Sequence, residues 1–224
     1  MKKQIIPTIT TDDPAEFQRQ FSEYLKFAPA IHVDISDGKF APNRTVNLNQ
    51  VYWREFQPFD ARVVLHLMVS NPLDWLYQIK SLQPNLVIVH IETISSIAIL
   101  RELTRQLRMF GVDLGLAILP ETRISDVGQA LSIVDDVLIF AGRLGYQGGV
   151  ADLGQLDKVT EIHKFAPKAI IEWDGGANVD NIAQIAASGV SCINVGSAIS
   201  SSTSAADAYR ELDEAMKAVE CANR

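Results

Sequence analysis

Cysteine is nearly absent from this chain of 224 residues: Cys192 lies in an apolar run and Cys221 near the tail. That excludes a disulfide-built scaffold and fits reduced intracellular usage. Long apolar runs are missing too. None approaches the roughly 18 residues of a spanning helix, and Met1-Lys2-Lys3-Gln4 leads straight into a strand-like piece without the apolar stretch of a signal peptide. No membrane partner and a cytoplasmic location are therefore expected. A basic surplus is also lacking, since 20 Lys and Arg stand against 27 Asp and Glu for a formal charge of −7, which argues against nucleic acid as a partner. The deficit leaves room for a phosphorylated small molecule, because backbone N–H groups at a helix start can hold an anion without Lys or Arg. With 47% hydrophobic and 21% charged residues and no linker, residues 1–224 are expected to form one domain around a large core.

What is present is an alternation. Short β-branched runs at 4–8, 30–35, 62–67, 86–90, 112–118, 136–141, 169–173 and 192–195 read as strands. Segments of helical period lie between them, at 14–27, 49–56, 72–81, 94–109, 124–131, 153–165, 179–187 and 204–219. Asp13 before Pro14, Asn71 before Pro72 and Asn178 before Val179 are suitable helix starts. Eight strand–helix repeats in this length predict an α/β fold, a single closed (β/α)8 TIM barrel with parallel strands, over an open doubly wound sheet. The turn after the first strand, Thr8-Ile9-Thr10-Thr11-Asp12, lacks the glycines that a dinucleotide would need.

In such a barrel the chemistry lies at the carboxyl ends of the strands, and unusual residues gather there. His32, Asp34 and Ser36 share one face of the second strand, because residues two apart project together. Taken alone, that pair reads equally as a hydrogen-bonded couple or as metal ligands. Thr8, His66 with Met68, His90 with Glu92, and Asp174 occupy further strand ends, so three of the four histidines reach one rim while His163 lies in a helix. Jointly they favour a metal. Two glycine-rich stretches, Asp174-Gly175-Gly176-Ala177-Asn178 and Val195-Gly196-Ser197-Ala198-Ile199, follow the seventh and eighth strands. This fold commonly binds phosphate there, although glycine also serves tight turns.

These residues resemble the ribulose-phosphate 3-epimerase family over nearly the full length. The similarity runs through Pro7-Thr8-Ile9, the block from His32 to Asn43, His66-Leu67-Met68, Val89-His90-Ile91-Glu92, Asp174-Gly175-Gly176 and Val195-Gly196-Ser197-Ala198-Ile199. The resemblance implies metal ligands His32, Asp34, His66 and Asp174, with Asp34 and Asp174 also as the acid/base pair. It implies a phosphorylated ketose as substrate, with D-ribulose 5-phosphate and D-xylulose 5-phosphate as the leading pair, and substrate contacts from Thr8, Met68, Gly145, Gly148, Gly149, Gly175, Gly176, Gly196 and Ser197. Moving a proton between the two faces of carbon 3 needs two bases, and a divalent cation would offset the charge of the enediolate. Two His and two carboxylates suit one Zn, Fe, Mn or Co ion. A homo-oligomer is expected.

The chain also departs from the family. Thr8 stands where Ser is usual, and Ser36 and Phe140 stand where Met residues line the site. The family's sixth loop, Asn-Pro-Gly-Phe-Gly-Gly-Gln, becomes Gly142-Arg143-Leu144-Gly145-Tyr146-Gln147-Gly148-Gly149-Val150, without the proline, with one more residue before the double glycine and with an added Arg. Arg143 would either meet the phosphate as a side-chain cation or point to solvent. Three functions compete: the epimerase; a barrel aldolase or decarboxylase, for which no strand carries an inward Lys or an Asp-x-Lys-x-x-Asp pattern; and a non-catalytic or altered-specificity sugar-phosphate-binding paralogue with a changed sixth loop.

Overall fold

The computed structural model describes residues 3–53 and 59–222. Eight parallel strands close into a barrel in chain order: β1 Gln4–Ile9, β2 Ala30–Ser36, β3 Arg62–Met68, β4 Leu86–His90, β5 Asp113–Ile118, β6 Asp136–Phe140, β7 Ile170–Asp174 and β8 Cys192–Val195. This is the TIM barrel expected from the alternation. Helices α1 Pro14–Tyr24, α2 Leu76–Leu82, α3 Ile97–Met109, α4 Ile124–Leu131, α5 Lys158–Phe165, α6 Ile182–Ala187, α7 Ser197–Ser200 and α8 Ala205–Ala222 surround it. No described helix is long and apolar enough to cross a membrane.

Local chemistry explains the outer layer. Asp13 accepts a hydrogen bond from the Ala15 N–H at 2.9 Å, Pro14 supplies a pre-set φ, and Phe17, Gln20, Phe21 and Tyr24 recur at helical spacing on the buried face of α1. Burying each large apolar side chain contributes about 1.5–3 kcal/mol. The other two expected starts differ. Asn71 turns its amide to Asp74 at 2.7 Å and caps nothing, so Pro72–Trp75 winds as a 3-10 turn before α2. Asn178 accepts from the Asp180 N–H at 2.9 Å, closing a local turn, and α6 begins only at Ile182. The expected helix at 49–56 is a 3-10 turn, Leu48–Gln50, closed by reciprocal Asn47 and Gln50 bonds; positions 54–56 lie outside the described residues.

The strands have two faces. Odd-numbered residues of β2, such as Ile31, Val33 and Ile35, join the large cluster between sheet and helices. Their even-numbered neighbours point inward. In register, Thr8 lies opposite His32, Asp34 opposite His66, and Asp174 opposite Asn194. A second buried cluster, Val64, Leu86, Ile88, Ala117, Leu138 and Phe140, fills the inside on β3 to β6.

Candidate functional site

One nitrogen or oxygen from each of His32, Asp34, His66 and Asp174 lies within 4.8 Å of the others, and all four residues come from strand ends of β2, β3 and β7. His32 Nε2 is 3.1 Å and His66 Nδ1 3.0 Å from the same Asp34 oxygen, Oδ1; Asp174 Oδ2 is 4.0 Å from the first nitrogen and 3.6 Å from the second. Donors at about 2.0–2.2 Å from one centre would lie within about 4.4 Å of each other. The four separations just given, 3.0–4.0 Å, already fall within that limit. Two imidazoles and two carboxylates, with both histidines shut off from solvent, form a neutral site around a divalent ion, so the residues present fit the group.

The neighbours tune the cluster. The Thr10 hydroxyl donates to Asp34 Oδ2 at 2.6 Å. His66 Nε2 meets His90 Nε2 at 3.0 Å, and His90 Nδ1 lies 3.4 Å from Glu92 Oε2, near but outside hydrogen-bond alignment. Glu92 is fixed in turn by the Leu119 N–H at 3.0 Å and by Thr122. Burial pushes the Asp174 carboxyl up to about 7, helped by the charge of Asp34. Burial acts the same way on Asp34, but hydrogen bonds from His32 and His66 together outweigh it and hold that carboxyl well below the usual range. Burial keeps His66 at about 4 despite Asp34. Against the same burial, the bond to Asp34 and the nearby acids bring His32 up to about 9. Two carboxylates with their affinities for protons driven apart are the usual mark of an acid/base pair.

Above the cluster opens a narrow cleft. Thr8, Met68, Gly145, Gly148, Gly149, Gly175, Gly176, Gly196 and Ser197 all line it, with Asp34 and Asp174 at its floor. Arg143 does not: its guanidinium stacks on the Tyr146 ring at 4.0 Å. The glycines also have a packing reason. Gly175 (φ +122°) and Gly176 (φ +65°) carry the loop after β7 so close to the loop after β6 that a Cβ would sit 2.2 Å from Gly142 N and 2.3 Å from Ala151 N respectively. Asn43 Nδ2 donates to Gly145 O at 2.8 Å, which ties the loop after β6 to the segment after β2. Sequence reasoning missed Thr10, Asn194, Tyr146 and Gln147, which also line the cleft. Thr10 follows the last residue of β1, two positions past Thr8, the strand-end residue that drew notice, and so on the same face; Gln147 carries no motif, and only the folded loop brings it against Gly196.

A parallel barrel with its buried carboxylate and imidazole side chains at the strand ends defines a class, the TIM barrels with a candidate metal site at the catalytic rim. Within it the particular family is shown by comparison: the chain belongs to the ribulose-phosphate 3 epimerase family, whose model matches residues 4–200. Similar proteins include the ribulose-phosphate 3-epimerase of Aquifex aeolicus (strain VF5), 30% identical over 179 residues covering 77% of this chain and 78% of that one. That of Mycobacterium leprae (strain TN) is 30% identical over 191 residues, covering 83% and 84%. Among solved structures, KGPDC from Streptococcus mutans superposes with a TM-score of 0.77 at 12% identity, over 98% of this chain and all 100% of that one, a likeness of fold. The family is one of carbohydrate epimerases, and with it come an isomerase activity and a sugar-phosphate substrate.

Proposed function

We propose that this protein is a metal-dependent 3-epimerase of a phosphorylated ketose, with D-ribulose 5-phosphate and D-xylulose 5-phosphate as its substrate pair. The observation that carries the reading is the cluster of His32, Asp34, His66 and Asp174 beneath a cleft rimmed by glycines. Asp34 on β2 and Asp174 on β7 reach the cleft from strands with β8 and β1 between them, which suits two bases on opposite faces of one carbon. One carboxylate takes the proton from carbon 3, and the other delivers a proton to the far face. Without an ion, the bonds from His32 and His66 hold Asp34 ionised while burial raises Asp174, and a divalent cation between them would favour the ionised form of both. A divalent ion held by the four ligands would supply positive charge against the negative charge developing on the substrate. Buried apolar neighbours, Met68 and Phe140, keep bulk water from the reacting carbon. The phosphate is assigned to the end of the cleft formed by Gly175, Gly176, Gly196 and Ser197, where little side-chain bulk obstructs backbone N–H groups.

A second reading, altered specificity, is favoured by Gln147, whose amide sits where a Cβ on Gly196 would lie 2.5 Å away and so occupies part of that same end. The deciding experiment is turnover of D-ribulose 5-phosphate by metal-loaded protein in deuterated water. Xylulose 5-phosphate carrying deuterium at carbon 3 is expected. Absence of both product and exchange, alongside proven metal binding, would turn the reading to another sugar phosphate.

A further inference from the structure

The two histidines of the cluster differ in what holds them from behind. A histidine that gives one ring nitrogen to a metal needs a partner on the other, because that bond fixes its tautomer and its ring plane. His66 has such a partner in His90, 3.0 Å from its Nε2. His32 turns Nε2 to Asp34 at 3.1 Å, while its Nδ1, on a ring with no exposure, has no hydrogen-bond partner among the described residues. Native interiors rarely leave such a group unmatched.

Two more unmatched atoms share its surroundings. Thr8 Oγ1 and Asn194 Oδ1 are buried and likewise have no partner among the described residues. Thr8 is the register partner of His32, and Asn194 is the partner of Ile6 on β1 and of Asp174 on β7. Strand alternation turns all three into the barrel. Glu172, 2% exposed, projects inward from β7, and its carboxylate is fixed by Asn194 Nδ2 at 2.9 Å. The unmatched Nδ1 on β2 thus lies on the same run of neighbouring strands as acceptors on β1, β8 and β7, and none of them bonds it directly.

We infer that Glu172, anchored by Asn194 and assisted by Thr8, positions His32 through one buried bridging water. The water accepts the Nδ1 proton and donates its own two protons to the Glu172 carboxylate and to Asn194 Oδ1 or Thr8 Oγ1, a complement typical of a buried water. His32 is thereby held in the tautomer whose Nε2 lone pair faces the cluster. Glu172 is a positioning residue that touches neither ion nor substrate, and its role rests on the metal reading given above.

The test is the zinc dissociation constant, measured by chelator competition on the full chain, for the wild type and for Glu172→Met, Glu172→Gln and Leu138→Val. Glu172→Met removes the acceptor at similar volume and is expected to weaken zinc roughly 10- to 100-fold. Glu172→Gln, which keeps an acceptor oxygen, should recover most of that loss. Leu138→Val lowers packing on the apolar side of the barrel and should leave the constant where it was. In the zinc-loaded wild type, nitrogen-15 spectra should show a protonated His32 Nδ1, with the signal shifted or lost in Glu172→Met. Equal zinc affinity in the wild type and Glu172→Met overturns the inference, as does an equal loss in the Met and Gln variants, which would mean charge rather than positioning. If Glu172→Met does not fold, Asn194→Ser, which frees the carboxylate from its anchor, takes its place with the same two outcomes. A wild type that binds no divalent ion overturns the metal reading and this inference together, whereas failure in the variants alone leaves that reading standing.

Discussion

Below its rim the barrel interior has two unlike halves. On β3 to β6, beneath His66 and His90 at the rim, the inward positions Val64, Leu86, Ile88, Ala117 and Leu138, with Phe140 above them, are buried and apolar, and Asp136 at the amino end of β6 is the buried acid among them. On β7, β8, β1 and β2 they are Glu172 and Asp174, Asn194, Thr8, and His32 and Asp34. The same strand geometry therefore carries two chemistries. The apolar half supplies cohesion and excludes water, which lowers the local dielectric and strengthens every charge interaction in the polar half. The polar half holds ionisable groups that would be costly to bury without each other. The division by strand holds beneath the rim, while at the rim His66 on β3 and His90 on β4 join the polar side, and substitutions in the two halves should fail in different ways.

The largest effect is expected at the polar rim. Asp174→Asn at saturating metal should lower epimerisation by about 10²–10⁴-fold, the usual worth of a positioned acid or base. Exchange of the carbon 3 proton of one epimer with solvent should survive, because Asp34 still serves its own face. Full activity in this variant or in Asp34→Asn would end the two-base scheme. In the apolar half, Leu138→Ala should cost about 2–5 kcal/mol of stability through lost burial and a cavity, read by denaturant unfolding. Its zinc affinity should match the wild type, and a loss there would show that the halves are coupled.

A smaller effect is expected at the boundary between the halves. Asp136, at the amino end of β6, is 5% exposed, and its Oδ1 has no partner among the described residues. Burial first, then the charge of Glu172, drives its carboxyl well above the ordinary 3.8, with Asp113 and Asp135 adding and Arg62 opposing. The folded chain then holds this proton more tightly than the unfolded chain. The group's stabilising contribution is complete below the unfolded value and is lost as pH rises through the folded one. Asp136→Asn cannot ionise, so its melting temperature should exceed that of the wild type by a few degrees at pH 8, and the gap should close towards pH 4. A constant gap across that range would remove ionisation as the cause. The smallest effect is at Arg143, stacked on Tyr146 outside the cleft. Arg143→Ala should raise KM less than about twofold at both low and high ionic strength, where loss of a charge-assisted phosphate contact would cost about 1.5–3 kcal/mol.

Much of this plan was legible beforehand, for a simple reason. Strand alternation has a period of two, so His32, Asp34 and Ser36 must share a face wherever the strand lies. All eight strands fall within a residue or two of the expected runs. Helix starts were harder to read, because a capping side chain is chosen by local competition. Asn71 and Asn178 found partners at Asp74 and Asp180 and left the helix start to later residues. The loop after β6 was harder again: Gln147 meets Gly196, and Gly142 meets Gly175, across contacts between distant segments.

The sequence by itself determined the barrel, which follows from local periodicity, and its resemblance to the epimerase family pointed to the family and to the four residues of the cluster. Only the tertiary structure decided that His66 is backed by His90 while His32 shares its surroundings with Glu172, Asn194 and Thr8, and that Arg143 lies on Tyr146 outside the cleft. Those are choices among partners brought together from different strands and loops by barrel closure, and a one-dimensional pattern carries no record of which neighbours closure will supply.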